Sequence, residues 1–168
     1  MSVVEVEVNY SDVLNAQVAD KITNFKYQGH DASLLYEHFI SPVCQWITDK
    51  LVPLWLAPNI ITLVGFAFIV LPHIWILNRD TQEASDCHFM VCGICILLYS
   101  LCDNTDGKQA RKTGSSSSLG MILDHGCDAV TCCLLTISVG SLIGVEFRLL
   151  AFLLCTNTYL YFLANLEQ

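Results

Sequence analysis

Four long apolar segments dominate this sequence and constrain what it can fold into. Each segment approaches the roughly 20 residues that an α-helix needs to cross a bilayer. The segments cover approximately residues 59–77, 88–111, 120–143 and 149–166. Hydrophobic residues make up 54% of the 168 residues and charged residues only 14%, against about 25% charged residues in soluble domains. The sequence therefore predicts an all-α fold, a polytopic membrane helical bundle with about four transmembrane helices.

The charge balance and the cysteines exclude several other classes of protein. The chain has 8 Lys and Arg residues against 16 Asp and Glu residues, a net charge of −8. An acidic chain of this kind is not expected to bind nucleic acid. The 9 cysteines are odd in number and lie mostly inside apolar runs, where cysteine behaves as a small hydrophobic residue. We therefore expect no disulfide framework of the kind that small secreted proteins use.

The N-terminal third of the chain differs from the rest. Residues 1–31 are polar and are predicted to form a cytosolic tail. Residues 32–56 are predicted to form an amphipathic helix in the membrane interface, kinked at Pro42, because apolar residues recur there mostly every three or four positions. These apolar residues are Leu34, Leu35, Phe39, Val43, Trp46, Ile47 and Val52. Packing of the same face against a soluble domain is the alternative interpretation.

Basic residues near the ends of the apolar segments predict how the chain is oriented. One side of the predicted helices has more of them than the other. The richer side holds Lys50, Lys108, Arg111 and Lys112, and the poorer side holds Arg79 and Arg148. Loops rich in Lys and Arg remain in the cytosol. We therefore expect the tail and the loop at residues 112–119 to be cytosolic.

Four aspartates within the second and third apolar segments need a physical explanation. An Asp at the centre of a transmembrane helix costs about 2.5–3.5 kcal/mol. Asp103 and Asp106 are three positions apart, and Asp124 and Asp128 are four apart, so each pair shares a helix face. In an antiparallel hairpin centred near Ser115, Asp106 falls level with Asp124, and Asp103 falls level with Asp128. All four carboxylates are therefore predicted to converge near the cytosolic end of the two helices.

Clustered carboxylates repel one another unless a cation lies between them. Carboxylate oxygens suit Mg²⁺ or Mn²⁺, and two such ions are a recurrent arrangement in phosphoryl chemistry. Gly107 and Gly120 lie close to the aspartates in sequence, and we expect each to let a phosphate or nucleotide approach the backbone. Lys108 and Arg111 are expected to supply positive charge beside that phosphate.

The same residues form a pattern that resembles the signature of the CDP-alcohol phosphotransferase family. The pattern is Asp103-x-x-Asp106-Gly107-x-x-Ala110-Arg111, then eight residues, then Gly120-x-x-x-Asp124-x-x-x-Asp128. Residues 106–128 resemble the eukaryotic choline/ethanolamine phosphotransferase branch, and residues 56–62 resemble the opening of the first membrane helix of the family. Residues 57–168 are therefore predicted to be a CDP-alcohol phosphotransferase membrane domain, present in part.

The resemblance implies transfer of phosphocholine or phosphoethanolamine from CDP-choline or CDP-ethanolamine to diacylglycerol, with release of CMP. It implies two metal ions, Mg²⁺ or Mn²⁺, held by Asp103, Asp106, Asp124 and Asp128. It implies that the CDP-alcohol is bound by Asn59, Thr62, Gly107, Ala110, Arg111 and Gly120. Asp128 would also act as general base, with His125 as the alternative base. For Asn59, a role as the N-cap of the first membrane helix is an alternative.

The resemblance also implies a cellular setting. It is phospholipid biosynthesis in the endoplasmic reticulum or the Golgi, among membrane lipids, with the active site facing the cytosol. A homodimer is compatible with it. The preference between choline and ethanolamine stays open.

The number of predicted helices departs from the family pattern. The family core usually has six membrane helices, whereas about four are predicted here. We therefore interpret the sequence as a fragment, a truncated isoform or an incomplete gene model, and expect residues 1–168 alone to show little or no turnover. An inactive form that binds nucleotide or a full-length partner is the alternative function. A divalent-cation transporter is disfavoured, because the acidic residues lie at one end of the helices and not through the membrane depth.

Overall fold

The computed structural model describes residues 33–78 and 85–166, and it contains five α-helices in those ranges. They are α1 Ser41–Lys50, α2 Pro58–Leu77, α3 Asp86–Thr113, α4 Ser118–Leu142 and α5 Phe147–Leu166. A π-helical turn, Tyr36–Ile40, leads into α1. The predicted tail at residues 1–31 lies outside the described residues. No strand occurs among the described residues, and the predicted all-α fold is confirmed.

Helices α2 to α5 are long and apolar enough to cross a membrane. Their ends lie within two residues of the predicted segments, so the prediction of a polytopic helical bundle is confirmed. Helix α3 has 28 residues, about 42 Å at 1.5 Å per residue, against a hydrocarbon core of about 30 Å. Its polar last turns therefore extend to the membrane boundary on one side.

Glycine and serine build the turn between α3 and α4. Gly114 ends α3 with a φ of 65°, a left-handed conformation that suits glycine. Ser117 begins α4 as its N-cap, and its Oγ accepts a hydrogen bond of 3.1 Å from the backbone N–H of Gly120. These two residues let the chain reverse in a few positions, as the predicted hairpin requires.

Helix α2 packs against both α3 and α4, and those two helices contact each other little. Gly65 lets α2 lie close to α3, because a Cβ atom at this position would lie 2.8 Å from the Cβ of Cys102. His73 Nδ1 and Ser138 Oγ lie 2.7 Å apart and join α2 to α4. The expected hairpin is therefore splayed, and α2 holds its two arms.

The predicted interfacial segment is helical up to Lys50 and continues as a loop to Ala57. The π-helical turn ends two residues before Pro42, whose ring is incompatible with a regular helical hydrogen bond at that point. Buried in α1 are Cys44 and Thr48. Ile47 and Val52 are half-buried. Eight other apolar side chains of the segment are exposed, namely Leu34, Leu35, Phe39, Val43, Trp46, Leu51, Leu54 and Trp55. The described residues thus leave its apolar face uncovered, an arrangement that suits a helix in the membrane interface.

The last turns of α3 anchor the segment before α2. Lys108 Nζ donates a hydrogen bond of 2.9 Å to Ser41 Oγ. Gln109, which is fully buried, donates through Nε2 to the carbonyl oxygens of Pro53 at 3.0 Å and Leu56 at 3.1 Å. Lys112 Nζ donates to the carbonyl of Thr48. The N-terminal segment is therefore fixed to the helix that carries Asp103 and Asp106.

Helix α5 packs against α4. A Cβ atom on Gly140 would lie 2.5 Å from Leu150 Cδ1, so the two helices approach closely there. Asn157 Nδ2 donates a hydrogen bond of 2.9 Å to Thr136 Oγ1. Nearer the cytosolic end predicted for α4, the Tyr161 hydroxyl donates a hydrogen bond of 2.8 Å to the backbone carbonyl of His125.

Candidate active site

A cleft of about 360 Å³ opens between α2, α3, α4 and the turn that joins the last two helices. Its walls contain every one of the eleven residues for which the sequence predicts a catalytic, substrate-binding or metal-binding role. They are Asn59, Thr62, Asp103, Asp106, Gly107, Ala110, Arg111, Gly120, Asp124, His125 and Asp128. Residues from three helices therefore meet in one place, as the predicted convergence of the aspartates requires.

Three of the four aspartates form a tight cluster. Asp103, Asp124 and Asp128 each offer one carboxylate oxygen, and these oxygens lie within 4.8 Å of one another. The three side chains are half-buried. Like charges this close repel strongly in a medium of low dielectric constant. The cluster therefore requires a compensating cation or shared protons.

The fourth aspartate, Asp106, lies in the same cleft but has a partner of its own. The hydroxyl of Thr62 on α2 donates a hydrogen bond to Asp106 Oδ2. The same hydroxyl lies 3.3 Å from the carbonyl oxygen of Pro58, one turn earlier in its own helix. Asp106 is 5% exposed and Thr62 is 7% exposed. Thr62, which is predicted from the sequence to bind the CDP-alcohol, thus contacts one of the predicted metal ligands.

The donor atoms of this cluster fit a hard divalent cation. Asp124 Oδ1 is buried and has no hydrogen-bond partner among the described residues, and a buried carboxylate oxygen without a partner is costly. Two oxygens bound to one Mg²⁺ ion at about 2.1 Å each are at most about 4.2 Å apart. Oxygens within 4.8 Å of one another therefore need only small movements to share an ion.

Asn59 lines the cleft next to the start of α4. A Cβ atom on Gly120 would lie 3.3 Å from Asn59 Oδ1 and 3.3 Å from Ser117 Oγ. The glycine therefore leaves room for the Asn59 amide beside the first turn of α4. The N-cap of α2 is Ala57, with Pro58 following it, so the alternative role of Asn59 as the N-cap is wrong.

Only one of the two expected cations reaches the cleft. Arg111 lines it, and a Cβ atom on Gly107 would lie 3.6 Å from Arg111 Nη1. Lys108 is buried, bonded to Ser41, and lies 6.0 Å from the centroid of the Tyr36 ring. The expectation that Lys108 lies beside a bound phosphate is therefore wrong. With about 100° of rotation per residue, Lys108 points about 140° away from Asp103 around the helix axis.

Five further residues line the cleft without having been predicted to do so. They are Pro58, Ser115, Ser116, Ser117 and Met121. The serines look like a flexible linker in the sequence, yet they close the end of the cleft that faces the start of α4. Serine before an apolar periodic segment is the usual N-cap signal, and it could have located Ser117.

One residue outside the cleft wall also contacts the cluster. The hydroxyl of Tyr99 on α3 donates a hydrogen bond to Asp128 Oδ1. Sequence reasoning missed Tyr99, although it lies four positions before Asp103 and so on the same helix face. Its position among apolar residues gave no reason to single it out.

Comparison with known proteins agrees with this geometry. A family model described as CDP-alcohol phosphatidyltransferase matches residues 55–166. Choline/ethanolaminephosphotransferase 2 of Arabidopsis thaliana is 42% identical over 120 residues, which cover 69% of this chain and 30% of that protein. Cholinephosphotransferase 1 of Xenopus laevis is 37% identical over 136 residues, 79% of this chain and 33% of that protein. Choline/ethanolaminephosphotransferase 1 of Saccharomyces cerevisiae is 34% identical over 151 residues, 84% of this chain and 38% of that protein.

The family match covers well over half of the chain and includes all three helices that form the cleft. The chain therefore belongs to the CDP-alcohol phosphatidyltransferase family. It spans about a third of the length of the curated relatives described above.

Proposed function

We propose that the protein transfers phosphocholine or phosphoethanolamine from a CDP-alcohol to diacylglycerol and releases CMP. The observation that carries this proposal is the meeting of all eleven predicted positions in one cleft, with three carboxylate oxygens within 4.8 Å of one another. The names of the relatives support the choice of the two alcohols.

The carboxylates would hold the divalent ions that this chemistry needs. Asp103, Asp124 and Asp128 are the proposed ligands of the cluster, and Asp106 is the fourth ligand, held by Thr62. Two ions, Mg²⁺ or Mn²⁺, suit four carboxylates. When bound, the ions would offset the negative charge of the diphosphate and of the departing CMP.

Other residues that line the cleft are proposed to bind the nucleotide part. Arg111 supplies a guanidinium that suits phosphate oxygens. Gly107, Ala110 and Gly120 present little or no side chain, so the diphosphate and ribose can approach the backbone. Asn59 adds an amide that can donate and accept hydrogen bonds. The N-terminal end of α4, at Ser117, adds a favourable partial positive charge for an anion.

We assign the general base to His125. Asp128 already belongs to the carboxylate cluster and accepts the hydrogen bond of Tyr99. His125 lines the same cleft but is not a member of the carboxylate cluster. Imidazole exchanges protons near neutral pH. A ring nitrogen of His125 would take the hydroxyl proton of diacylglycerol. The alcohol oxygen then bonds to the β-phosphorus, and CMP leaves with the bridging oxygen and its electron pair. Asp128 as base, which the sequence favours, is the competing assignment.

The proposed setting is the membrane of the endoplasmic reticulum or the Golgi, with the cleft facing the cytosol. The excess of Lys and Arg at that end of the helices supports the orientation. The exposed apolar face beside α1 supports contact with membrane lipid. This orientation would bring the cleft to the cytosolic boundary of the hydrocarbon core, where a water-soluble CDP-alcohol and a membrane-bound diacylglycerol can both reach it. A homodimer is compatible with this arrangement.

A chimeric enzyme tests the proposed reaction. Residues 55–166 replace the matching segment of the Saccharomyces cerevisiae relative, and microsomes are supplied with CDP-choline or CDP-ethanolamine, diacylglycerol and Mn²⁺. We expect CMP release that depends on both substrates and on the metal, and none from the same chimera carrying Asp106→Asn and Asp124→Asn. A chimera that inserts normally and binds CDP-alcohol, but releases no CMP, would overturn the proposal.

A further inference from the structure

Tyr99 connects the two helices that carry the aspartates. It lies on α3, and its hydroxyl donates a hydrogen bond to Asp128 Oδ1 on α4. Because α3 and α4 contact each other little, this bond is a direct polar link between them. Tyr99 is half-buried and does not line the cleft. It therefore contacts Asp128 from outside the cleft.

The ring of Tyr99 lies beside Gly65 of α2. A Cβ atom on Gly65 would lie 3.7 Å from Tyr99 Cδ2 and 3.7 Å from the Tyr99 carbonyl oxygen. The same atom would lie 2.8 Å from the Cβ of Cys102. The missing side chain at Gly65 thus lets the α2 backbone lie against this part of α3. The tyrosine that donates to Asp128 therefore packs against the backbone of α2.

Asp128 needs such support because of its neighbours. One of its oxygens lies within 4.8 Å of an oxygen from Asp103 and one from Asp124. Mutual repulsion of the three carboxylates favours rotation of each away from the others. A donor on Oδ1 restrains the rotation of Asp128. Hydrogen bonds of this kind to metal ligands change metal affinity by about 10–100-fold when removed.

We propose that Tyr99 is a positioning residue, which orients the carboxylate of Asp128 toward the divalent ion between α3 and α4. This inference rests on the metal-binding part of the proposed function. It does not require that the ion serve transfer from a CDP-alcohol.

A double-mutant cycle on Mn²⁺ affinity tests the proposal. The whole chain is placed in lipid nanodiscs, and Mn²⁺ binding is measured by electron paramagnetic resonance for the wild type, Tyr99→Phe, Asp128→Asn and the double variant. We expect Tyr99→Phe to weaken Mn²⁺ binding by about 10-fold or more. In the Asp128→Asn background, the same substitution should have no further effect, because the group that it orients is already changed.

A matched control and a second variant complete the test. Tyr159 is exposed on α5, and Tyr159→Phe should leave Mn²⁺ affinity unchanged. Phenylalanine at position 99 keeps the ring that packs on Gly65, so the melting temperature should change little. If Tyr99→Phe is not recovered folded, Gly65→Ala is used in the same cycle, because its Cβ would clash with the Cβ of Cys102 at 2.8 Å and push α2 away from this part of α3.

Two results would overturn the proposal. One is wild-type Mn²⁺ affinity in Tyr99→Phe. The other is an equal loss of affinity with and without the Asp128 carboxylate, which would indicate a general structural effect. Because the readout is metal binding, these results are distinct from a failure of the chimera to release CMP.

Discussion

Thr62 on α2 donates a hydrogen bond to Asp106 on α3, and both side chains are buried. The bond joins the first membrane-spanning helix to the helix with the first aspartate pair. It gives Asp106 a fixed partner, while the other three aspartates have their oxygens close together. One wall of the cleft therefore depends on a residue that lies 44 positions away in the sequence.

Replacing Thr62 by valine should weaken both the fold and the site. Valine keeps the shape but removes the hydroxyl, so Asp106 loses its donor at a cost of about 1–3 kcal/mol. We expect a lower melting temperature and about tenfold weaker Mn²⁺ binding. Thr62→Ser, which keeps the hydroxyl, is the control and should resemble the wild type. Equal Mn²⁺ affinities in the valine and serine variants would show that the hydrogen bond has no role in the site.

Substitutions of His125 and of Asp128 should have different effects on turnover and on the Mn²⁺ requirement. If His125 is the base, His125→Ala in the chimera lowers turnover by about 10²–10⁴-fold and leaves Mn²⁺ half-saturation unchanged. Asp128→Asn should instead raise the Mn²⁺ concentration needed for half-maximal activity. Initial rates measured across a Mn²⁺ series separate the two effects. If Asp128→Asn lowers turnover without changing Mn²⁺ half-saturation, and His125→Ala raises the Mn²⁺ concentration needed, Asp128 is the base.

Gln109 should contribute to stability and not to chemistry. It is fully buried and donates to two backbone carbonyls of the segment before α2. Gln109→Leu removes both donors and leaves those carbonyls without them, so we expect a loss of about 2–4 kcal/mol and a clearly lower melting temperature. Gln45, an exposed glutamine on α1, provides the control in Gln45→Leu, which should melt as the wild type does. Matching melting temperatures for the two variants would contradict this role.

The orientation of the chain is open to a glycosylation test. Asn9-Tyr10-Ser11 is an N-x-Ser sequon in the predicted cytosolic tail, and it should remain unmodified in microsomes. A sequon engineered with a spacer in the connection at residues 80–86 should be glycosylated. Gel mobility before and after deglycosylation gives the answer. A glycan on Asn9 would invert the proposed topology.

The sequence predicts the helices well because their signal is local. Long apolar runs define α2 to α5, and the structure shifts their ends by two residues at most. The spacing of Asp103 with Asp106, and of Asp124 with Asp128, predicts their convergence for the same reason. Helical periodicity fixes which side chains share a face.

The sequence does not predict which helix lies beside which. Apolar helices in a membrane have similar outer surfaces, so the position of α2 between α3 and α4 depends on close contacts such as Gly65 on Cys102. The links from Thr62 to Asp106 and from Tyr99 to Asp128 follow from that arrangement. The direction of Lys108, in contrast, could have been predicted. Lys108 lies two positions after Asp106, and residues two apart on a helix do not share a face.

Binding of a CDP-alcohol to this chain is the most direct test of the proposed metal-dependent nucleotide site. Radiolabelled CDP-choline or CDP-ethanolamine is titrated onto the chain in lipid nanodiscs, with Mn²⁺ or with excess chelator, for the wild type and for Asp124→Asn. We expect binding that requires Mn²⁺, is restored when the metal is returned after chelation, and weakens at least tenfold in Asp124→Asn, with membrane insertion unchanged. Equal binding in the presence of chelator, or wild-type affinity in the Asp124→Asn variant, would contradict it.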